Sequence, residues 1–292
     1  MIVGFIRVRL IIICEMGSVS SSEGSAIDSV APMDALVRAV LYQPIKRDEE
    51  FVNKWPTTEE KGVQVVRIAS REDKGNTVYA IVVTPSKLKW DKVVIFSHGN
   101  GSDVFANFEF QKAFAERFGV VVVAYDYPSY GGTKGVPNEE TCRECLGRVV
   151  EHVAINYAKK KIILMAHSLG TGVTMSYVAC VKWVTPIILI SAYMSIPEVV
   201  TSSRGLLRNH RYPSITYIKG VACGIKFIHG EDDEVIGISH SKELYKELPN
   251  KQFPHSWIAR LNHNDILDYI VSEGHSSLIT GVLDYDYVPE SA

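Results

Sequence analysis

The stretch from Lys161 to Gly172 carries an apolar run that ends at a serine with small residues two positions to either side. This pattern is typical of a sharp turn from a strand into a helix, which holds the serine hydroxyl clear of the backbone. Ala166 and Gly170 have too little bulk to collide with each other in such a turn. We therefore predict that Ser168 is a nucleophile. The alternative is a chance small-x-Ser-x-small pattern in an ordinary strand-helix turn.

A serine hydroxyl is a poor nucleophile until an imidazole accepts its proton, and that imidazole needs a carboxylate to fix its tautomer. Two candidate acids, Asp232 and Asp233, follow the apolar run that ends at His229. We favour Asp233 because, three residues past Gly230, it has room to curl back over a sheet. The neighbouring acidic side chains are expected to form a solvated turn.

Four histidines follow the acid, and His263 alone comes after a predicted strand, Trp257 to Leu261. His240 and His275 fall in predicted helices, and His255 precedes the strand. His263 is therefore the predicted general base. The order serine, acid, histidine along the chain is the one that an acyl-transfer triad takes on a parallel α/β sheet.

The negative charge that develops on a tetrahedral intermediate must meet preorganised donors. We expect one donor to be the Leu169 N–H at the start of the helix after Ser168, and the other to be the Asn100 N–H. Asn100 lies in the segment Ser97 to Gly101, which follows a second apolar run. His98 is expected to shape that loop, and His167 to line the entrance at most.

The elements that must position these residues follow from the hydrophobic pattern. Val63 to Ile68 and Val78 to Thr84 predict a hairpin joined by a turn at Asp73 to Asn76. Further along, Val/Ile-rich runs alternate with helical segments, which is typical of a mostly parallel central sheet with helices on both faces. The predicted strands start at Val93, Val120, Ile162, Pro186, Ile225 and Trp257, and the predicted helices lie near 105–118, 139–157, 169 onward, 239–248 and 265–278.

One α/β domain, residues 30–292, accounts for this pattern, with a disordered leader at 1–29 and a short cap-like excursion at about 191–224 where no period appears. A helix from Met33 to Leu41, stopped by Gln43-Pro44, is expected to brace the fold rather than lie on a membrane. In the leader, Met16-Gly17 begins an N-myristoylation pattern that counts if translation starts at Met16.

Composition restricts the partners. The 292 residues carry a formal net charge of −2 and no Lys/Arg block that would track phosphates, so a nucleic-acid partner is not expected. Five cysteines, an odd number scattered through predicted elements, indicate a reducing, cytoplasmic location. Cys142 and Cys145 have metal-like spacing without a second pair, so we expect packing residues, no metal and no cofactor.

Several segments resemble the alpha/beta-hydrolase superfamily, and more closely the alpha/beta-hydrolase domain-containing protein 17 family of membrane-bound depalmitoylating enzymes. The similarity spans about Val63 to Leu278. Two departures are that the leader offers only Cys14 where that family has a cysteine-rich, acylated amino terminus, and that Ala166 stands at the usual glycine of the serine turn. The segments that carry the resemblance are Phe96 to Asn100, Tyr125 to Gly131, Tyr212 to Ile215, Ile228 to His240 and His263 to Ile266.

The resemblance implies a thioesterase that removes fatty acyl chains from protein cysteines at membranes. We thus expect a serine hydrolase that cleaves long-chain acyl thioesters or esters through an acyl-Ser168 intermediate. Its substrate would be an S-acylated protein or a small acyl ester, with peripheral association with the cytosolic face of membranes. The alternatives are a carboxylesterase or serine peptidase of the same fold, since triad chemistry does not specify the leaving group, and a non-catalytic binding protein.

Overall fold

Within the part of the chain that the structure describes, eight strands form one sheet in the order β1-β2-β4-β3-β5-β6-β7-β8. The computed structural model describes residues 35, 37–39, 41–55, 61–69, 77–200 and 212–286. β2 runs antiparallel to its neighbours β1 and β4, and strands β3 to β8 pair in parallel. The predicted mostly parallel α/β sheet is confirmed. The strands are β1 Val63–Ile68, β2 Val78–Val83, β3 Val93–Ser97, β4 Val121–Tyr125, β5 Ile162–His167, β6 Ile187–Ile190, β7 Ile225–Gly230 and β8 Ser256–Ile258.

Helices cover both faces of this sheet because its central strands are apolar on both sides. Along β3, Val93 and Ile95 pack into one core with α3 and α4, whereas Val94 and Phe96 pack into a second core with α2, α8 and α9. Alternation along a strand thus feeds two hydrophobic layers. The α-helices whose two ends lie in the described residues are α1 Glu49–Lys54, α2 Phe108–Phe118, α3 Glu139–Val153, α4 Leu169–Cys180, α5 Ile196–Val200, α6 Ser214–Tyr217, α7 Ser239–Glu247, α8 Ile266–Val271 and α9 Ser277–Leu283.

The carboxyl-terminal part of the chain differs from the sequence prediction in two places. The single helix expected at 265–278 is two helices, α8 and α9, and Gly274 between them has a φ of +87° that a helix does not allow. His275 accordingly lies between helices rather than in one. The edge strand β8 ends at Ile258, earlier than the predicted end at Leu261, because its pairing with β7 stops there. His263 therefore lies in a longer loop after the strand than the sequence predicted.

The segment before the sheet is helical at the described positions 35, 37–39 and 41 and leaves the helix at Tyr42. Val37 is fully buried and Leu41 nearly so, and both pack into the core of α3 and α4. This burial fits the predicted brace on the fold. Across the described ranges, no helix has the length and apolar character needed to cross a bilayer.

The expected excursion at 191–224 is described at 191–200 and 212–224, where it forms α5 and α6. Its returning end is tied to the start of α3 by the Glu139 carboxylate, which accepts hydrogen bonds from Tyr212 N at 2.8 Å and Tyr217 Oη at 2.7 Å. The division into leader, domain and cap stays a prediction. The leader at 1–29 with Gly17, and the turn at 73–76, lie outside the described residues.

Candidate active site

Ser168 stands between β5 and α4 in a strained backbone conformation, with φ 53° and ψ −119°. Non-glycine residues seldom adopt positive φ, and such strain persists only where the surrounding structure imposes it. The constraint here is close packing. A Cβ atom at Gly170 would lie 2.2 Å from the Ser97 carbonyl oxygen, so α4 begins directly against the end of β3. The sequence pattern pointed to Ala166 as the neighbour of Gly170, and the structure adds this β3 contact.

Ser168, His263 and Asp233 meet at the carboxyl edge of the sheet although they are far apart in sequence. His263 Nε2 lies 3.0 Å from Ser168 Oγ, and its Nδ1 lies 2.7 Å from Asp233 Oδ2. Because a carboxylate accepts the Nδ1–H, Nε2 is left with the lone pair that faces the serine hydroxyl. This arrangement can pass a proton from Ser168 to His263. The catalytic roles of these residues stay predictions.

The carboxylate of Asp233 is held as an anion in a buried position. Burial by itself would raise the pKa of Asp233, but hydrogen bonds from His229 and His263 outweigh it and hold that pKa well below its usual range. The backbone N–H groups of Val235 and Ile236 donate to Oδ1 at 3.0 and 2.7 Å. Asp232, the alternative acid, is exposed in the acidic turn.

His167 precedes Ser168 and lies against the proposed base, with its ring centroid 5.0 Å from that of His263. Burial, and then the nearby His263, lower the pKa of His167 to about 3. The ring is therefore neutral at physiological pH and places no positive charge beside His263. His167 lines the cavity described below, in line with the minor role expected for it.

The loop after β3 lies directly against Ser168. A Cβ atom at Gly99 would be 3.4 Å from Ser168 Cβ and 3.1 Å from His167 Nδ1, so a small residue is needed there. His98 Nδ1 donates to the Gly99 carbonyl at 2.8 Å. Since the C=O and N–H of a trans peptide point in opposite directions, this bond turns the Asn100 N–H away from the His98 ring. The structure thus gives His98 a specific task in the loop.

The Asn100 side chain ties this loop to the segment that precedes the sheet. Its Oδ1 accepts from Gln43 N at 3.0 Å and from Tyr130 Oη at 2.6 Å, and its Nδ2 donates to Leu41 O at 2.7 Å. Sequence reasoning missed these partners. Tyr130 stood in the Tyr125 to Gly131 segment that carried the family resemblance, and that was the available signal.

A cavity of about 590 Å³ opens at Ser168 and His263. Its size falls in the usual range for small-molecule sites. Apolar and aromatic side chains supply much of its lining, and Asn100, Ser102, Asn107, Glu234 and Asn264 contribute polar atoms. The apolar side chains of the lining, which we call the apolar wall, are Leu41, Tyr42, Tyr193, Ile196, Val199, Tyr212, Val235, Ile236 and Leu267.

Cys142 and Cys145 are buried on α3 and pack into the core with Leu146. Burial raises the pKa of the Cys142 thiol to about 12, and burial likewise raises the pKa of Cys145. Thiols in this environment stay protonated near neutral pH and behave as small apolar side chains. Both residues serve packing.

The order of the strands and the strained serine between β5 and α4 are the arrangement of an alpha/beta hydrolase. Residues 94–263 match the model of the alpha/beta hydrolase family, which spans the segment from β3 to the proposed base. This chain belongs to the alpha/beta hydrolase family.

Among its relatives, a protein of Acanthamoeba polyphaga mimivirus named as an alpha/beta hydrolase is 36% identical over 197 residues, covering 66% of this chain and 73% of that protein. Alpha/beta hydrolase domain-containing protein 17C of Homo sapiens is 30% identical over 176 residues, or 59% of this chain. The chain spans about half of that protein, 53%. The family resemblance stated from the sequence is confirmed.

Solved structures show the same fold at low sequence identity. A lidless α/β serine hydrolase from Xanthomonas campestris matches with a TM-score of 0.57 and 16% identity, over 80% of this chain and 98% of its own. The esterase domain of a Rhodothermus marinus protein matches with a TM-score of 0.56 and 15% identity, over 74% and 98% of the two chains. At this level of identity, the likeness concerns the fold.

Proposed function

We propose that this hydrolase is a serine thioesterase or esterase that cleaves long-chain acyl groups from protein cysteines or from small acyl esters. The observation that carries the proposal is the hydrogen-bonded chain Ser168–His263–Asp233 opening onto a cavity with an apolar wall. The chemistry of the three side chains accounts for hydrolysis, and the wall accounts for an acyl group. Membrane proximity is part of the proposal because S-acylated proteins reside at membranes.

In the first step, Ser168 Oγ attacks the acyl carbonyl carbon while His263 Nε2 takes the hydroxyl proton. The Asp233 carboxylate keeps the Nδ1–H in place and stabilises the imidazolium that forms. The intermediate then collapses, the carbon–sulfur or carbon–oxygen bond breaks, and His263 returns the proton to the leaving thiolate or alkoxide. Ser168 is left as an acyl ester.

The oxyanion of the intermediate would be bound by the N–H groups of Leu169 and Asn100. Leu169 is the first residue of α4, where the N–H groups of a helix lack intrahelical partners. The hydrogen bond from His98 Nδ1 to the Gly99 carbonyl fixes the peptide between Gly99 and Asn100, so that the Asn100 N–H points away from the His98 ring. In the second step, His263 takes a proton from the water that attacks the acyl ester, the bond between the acyl carbon and Ser168 Oγ breaks, and His263 returns the proton to Oγ as the fatty acid is released.

The apolar wall supports an acyl substrate because it is built from a packed cluster rather than from isolated side chains. Leu41, Tyr42, Tyr193, Val199 and Tyr212 belong to the same core, and they come from three separate segments of the chain. An alkyl chain laid against this wall would gain about 0.8 kcal/mol per buried methylene. The resemblance to the alpha/beta-hydrolase domain-containing protein 17 family, which implies a depalmitoylating thioesterase, also supports an S-acyl substrate, and the 17C protein of Homo sapiens is 30% identical over the matched residues.

Labelling with a fluorophosphonate probe tests the proposal most directly. We expect the folded protein to form a covalent adduct at Ser168, and Ser168→Ala to lose it while keeping its thermal transition. A palmitoyl thioester peptide should compete with the probe better than a short-chain ester or a peptide amide.

The other outcomes have distinct meanings. A folded protein without labelling would overturn hydrolysis and leave a binding role. Labelling with a preference for short esters would indicate a carboxylesterase, and a preference for the peptide amide would indicate a peptidase. Either preference would contradict the long-chain assignment.

A further inference from the structure

A second histidine contacts the carboxylate of Asp233. His229, in β7, is completely buried and does not line the cavity. Its Nε2 lies 3.2 Å from Asp233 Oδ2 and 2.8 Å from the Ile236 carbonyl oxygen. Asp233 Oδ2 is therefore shared by two imidazoles, because His263 Nδ1 approaches the same oxygen at 2.7 Å.

The hydrogen-bond partners fix which nitrogen of His229 carries a hydrogen. A carbonyl oxygen only accepts, so Nε2 must be the donor toward Ile236 and the neighbouring Asp233 oxygen. The other nitrogen, Nδ1, lies 2.7 Å from Ser241 Oγ, whose hydroxyl also lies 3.1 Å from the Ala192 carbonyl. The Ser241 hydroxyl can either donate to Nδ1 or accept from it. In both cases Nε2 carries a hydrogen that points toward the Ile236 carbonyl and Asp233 Oδ2.

We propose that His229 is a positioning residue for the Ser168–His263–Asp233 chain, acting through Asp233. The inference rests on the function proposed above. The N–H groups of Val235 and Ile236 hold only Oδ1 of the carboxylate. The Nε2–H of His229 supplies a donor on the Oδ2 side, which fixes the carboxylate plane and stabilises the anion against burial. Oδ2 is thereby held where the Nδ1–H of His263 meets it.

His229→Asn and His229→Gln form a matched pair that separates this role from core packing. The glutamine amide nitrogen reaches the place of Nε2 and keeps the contact with Asp233. The asparagine nitrogen takes the place of Nδ1, keeps the Ser241 contact and loses the one with Asp233. Lys226→Met is the structural control, since Lys226 is buried in the same strand and bonds to Pro254 O and Ser256 Oγ, apart from the site.

The readouts are kcat and KM for a palmitoyl thioester, the thermal transition, and the low-field proton resonance of His263 Nδ1–H. We expect His229→Asn to lower kcat about 10- to 100-fold with little change in KM, the range that a hydrogen bond to a charged group supports. The resonance should move or be lost to solvent exchange. His229→Gln should recover most of kcat and the resonance, and Lys226→Met should lower only the thermal transition.

The inference is overturned if His229→Asn leaves both kcat and the resonance at their wild-type values. It is also overturned if kcat in all three variants simply follows the thermal transition. If His229→Asn does not fold, His229→Gln decides. A folded His229→Gln protein in which the His263 Nδ1–H resonance differs from that of wild type would contradict the positioning role of His229. The resonance needs no substrate, so failure of the proposed hydrolysis, seen as an inactive and unlabelled wild type, is distinguished from failure of the positioning role.

Discussion

Three side chains carry the proposed chemistry, and each is held by neighbours that suit its task. Ser168 is exposed to the cavity by a strained backbone, His263 is oriented by a carboxylate, and Asp233 is kept ionised by donors on both oxygens. Preorganisation of this kind reduces the rearrangement needed when charge develops. At the scale of single residues, the site is therefore best tested by changing one donor or acceptor at a time.

Asp232 and Asp233 are adjacent, so the effects of the same substitution on kcat/KM can be compared at the two positions. Asp233→Asn removes the charge that holds the His263 tautomer, and we expect kcat/KM to fall on the order of 10⁴-fold. Asp232→Asn changes an exposed neighbour and should leave kcat/KM within about threefold, because the turn is solvated. Steady-state hydrolysis of an acyl thioester measures both. Equal losses in the two variants would show that Asp233 is not the acid.

His167 makes stability depend on pH. Its folded pKa of about 3 lies below the ordinary value of 6.5, so the unfolded chain binds a proton that the folded chain excludes. This contribution is complete above about pH 6.5 and is lost as the pH falls toward 3, by up to about 1.4 kcal/mol per pH unit. Between pH 7 and pH 5, wild type should therefore lose about 2 kcal/mol more unfolding free energy than His167→Asn.

Urea denaturation at the two pH values measures this difference. His255→Asn serves as control, since His255 is exposed and stands outside the cavity lining. It should retain the wild-type pH dependence. Identical pH dependence in wild type and His167→Asn would show that His167 does not stay neutral in the folded protein.

At the scale of elements, the site depends on how tightly α4 approaches β3. The helix starts one residue after Ser168, and its second residue lies against the last carbonyl of the strand. The same contact places the loop after β3 that carries Asn100. A change in the spacing of these two elements moves Ser168 and this loop together.

Gly170→Ala tests this spacing, because its Cβ would lie 2.2 Å from the Ser97 carbonyl oxygen. We expect a loss of about 2 kcal/mol or more in unfolding free energy and about a 100-fold loss in kcat, since a displacement of about 1 Å has that effect. Gly281→Ala, in α9 with open space around it, should instead stabilise by about 0.5–1 kcal/mol. Wild-type kcat in a folded Gly170→Ala protein would contradict the spacing argument.

At the scale of the whole molecule, the cavity is assembled from segments that no single element could supply. The chain before the sheet gives Leu41 and Tyr42, the excursion after β6 gives Ile196, Val199 and Tyr212, and the sheet edge gives Ser168. The Asn100 side chain ties the first of these segments to the loop after β3. Substrate size is consequently a property of the assembled fold.

The dependence of kcat/KM on acyl-chain length tests whether the assembled cavity sets the size of the substrate. We expect kcat/KM to rise about fourfold per methylene until the apolar wall is covered, from about 0.8 kcal/mol per buried group. Val199→Phe should shift the optimum to shorter chains, because it fills space at the wall. Val136→Phe, at an exposed position away from the lining, should keep the wild-type profile. A flat profile in wild type would contradict an acyl site at this wall.

Much of this architecture was predictable because it depends on local pattern. The central strands are apolar on both faces, so their hydrophobic runs stand out, and the ends of β3, β5 and β7 were located to within a residue or two. Predicted boundaries failed where local pattern is weak. The helix at 265–278 was divided by a glycine, and β8 was shorter because pairing with β7, rather than composition, sets its length.

The sequence by itself determined the fold class and the candidates Ser168, Asp233 and His263, since a parallel sheet gathers its strand ends at one edge. Tertiary structure alone decided how they are held. Three contacts join residues that are distant along the chain. They are the hydrogen bond from His263 to Asp233, the packing of Gly170 against β3 and the hydrogen bond from Asn100 Nδ2 to Leu41 O. Such contacts depend on side-chain direction and backbone approach within a few tenths of an ångström, and hydrophobic periodicity carries no information about either.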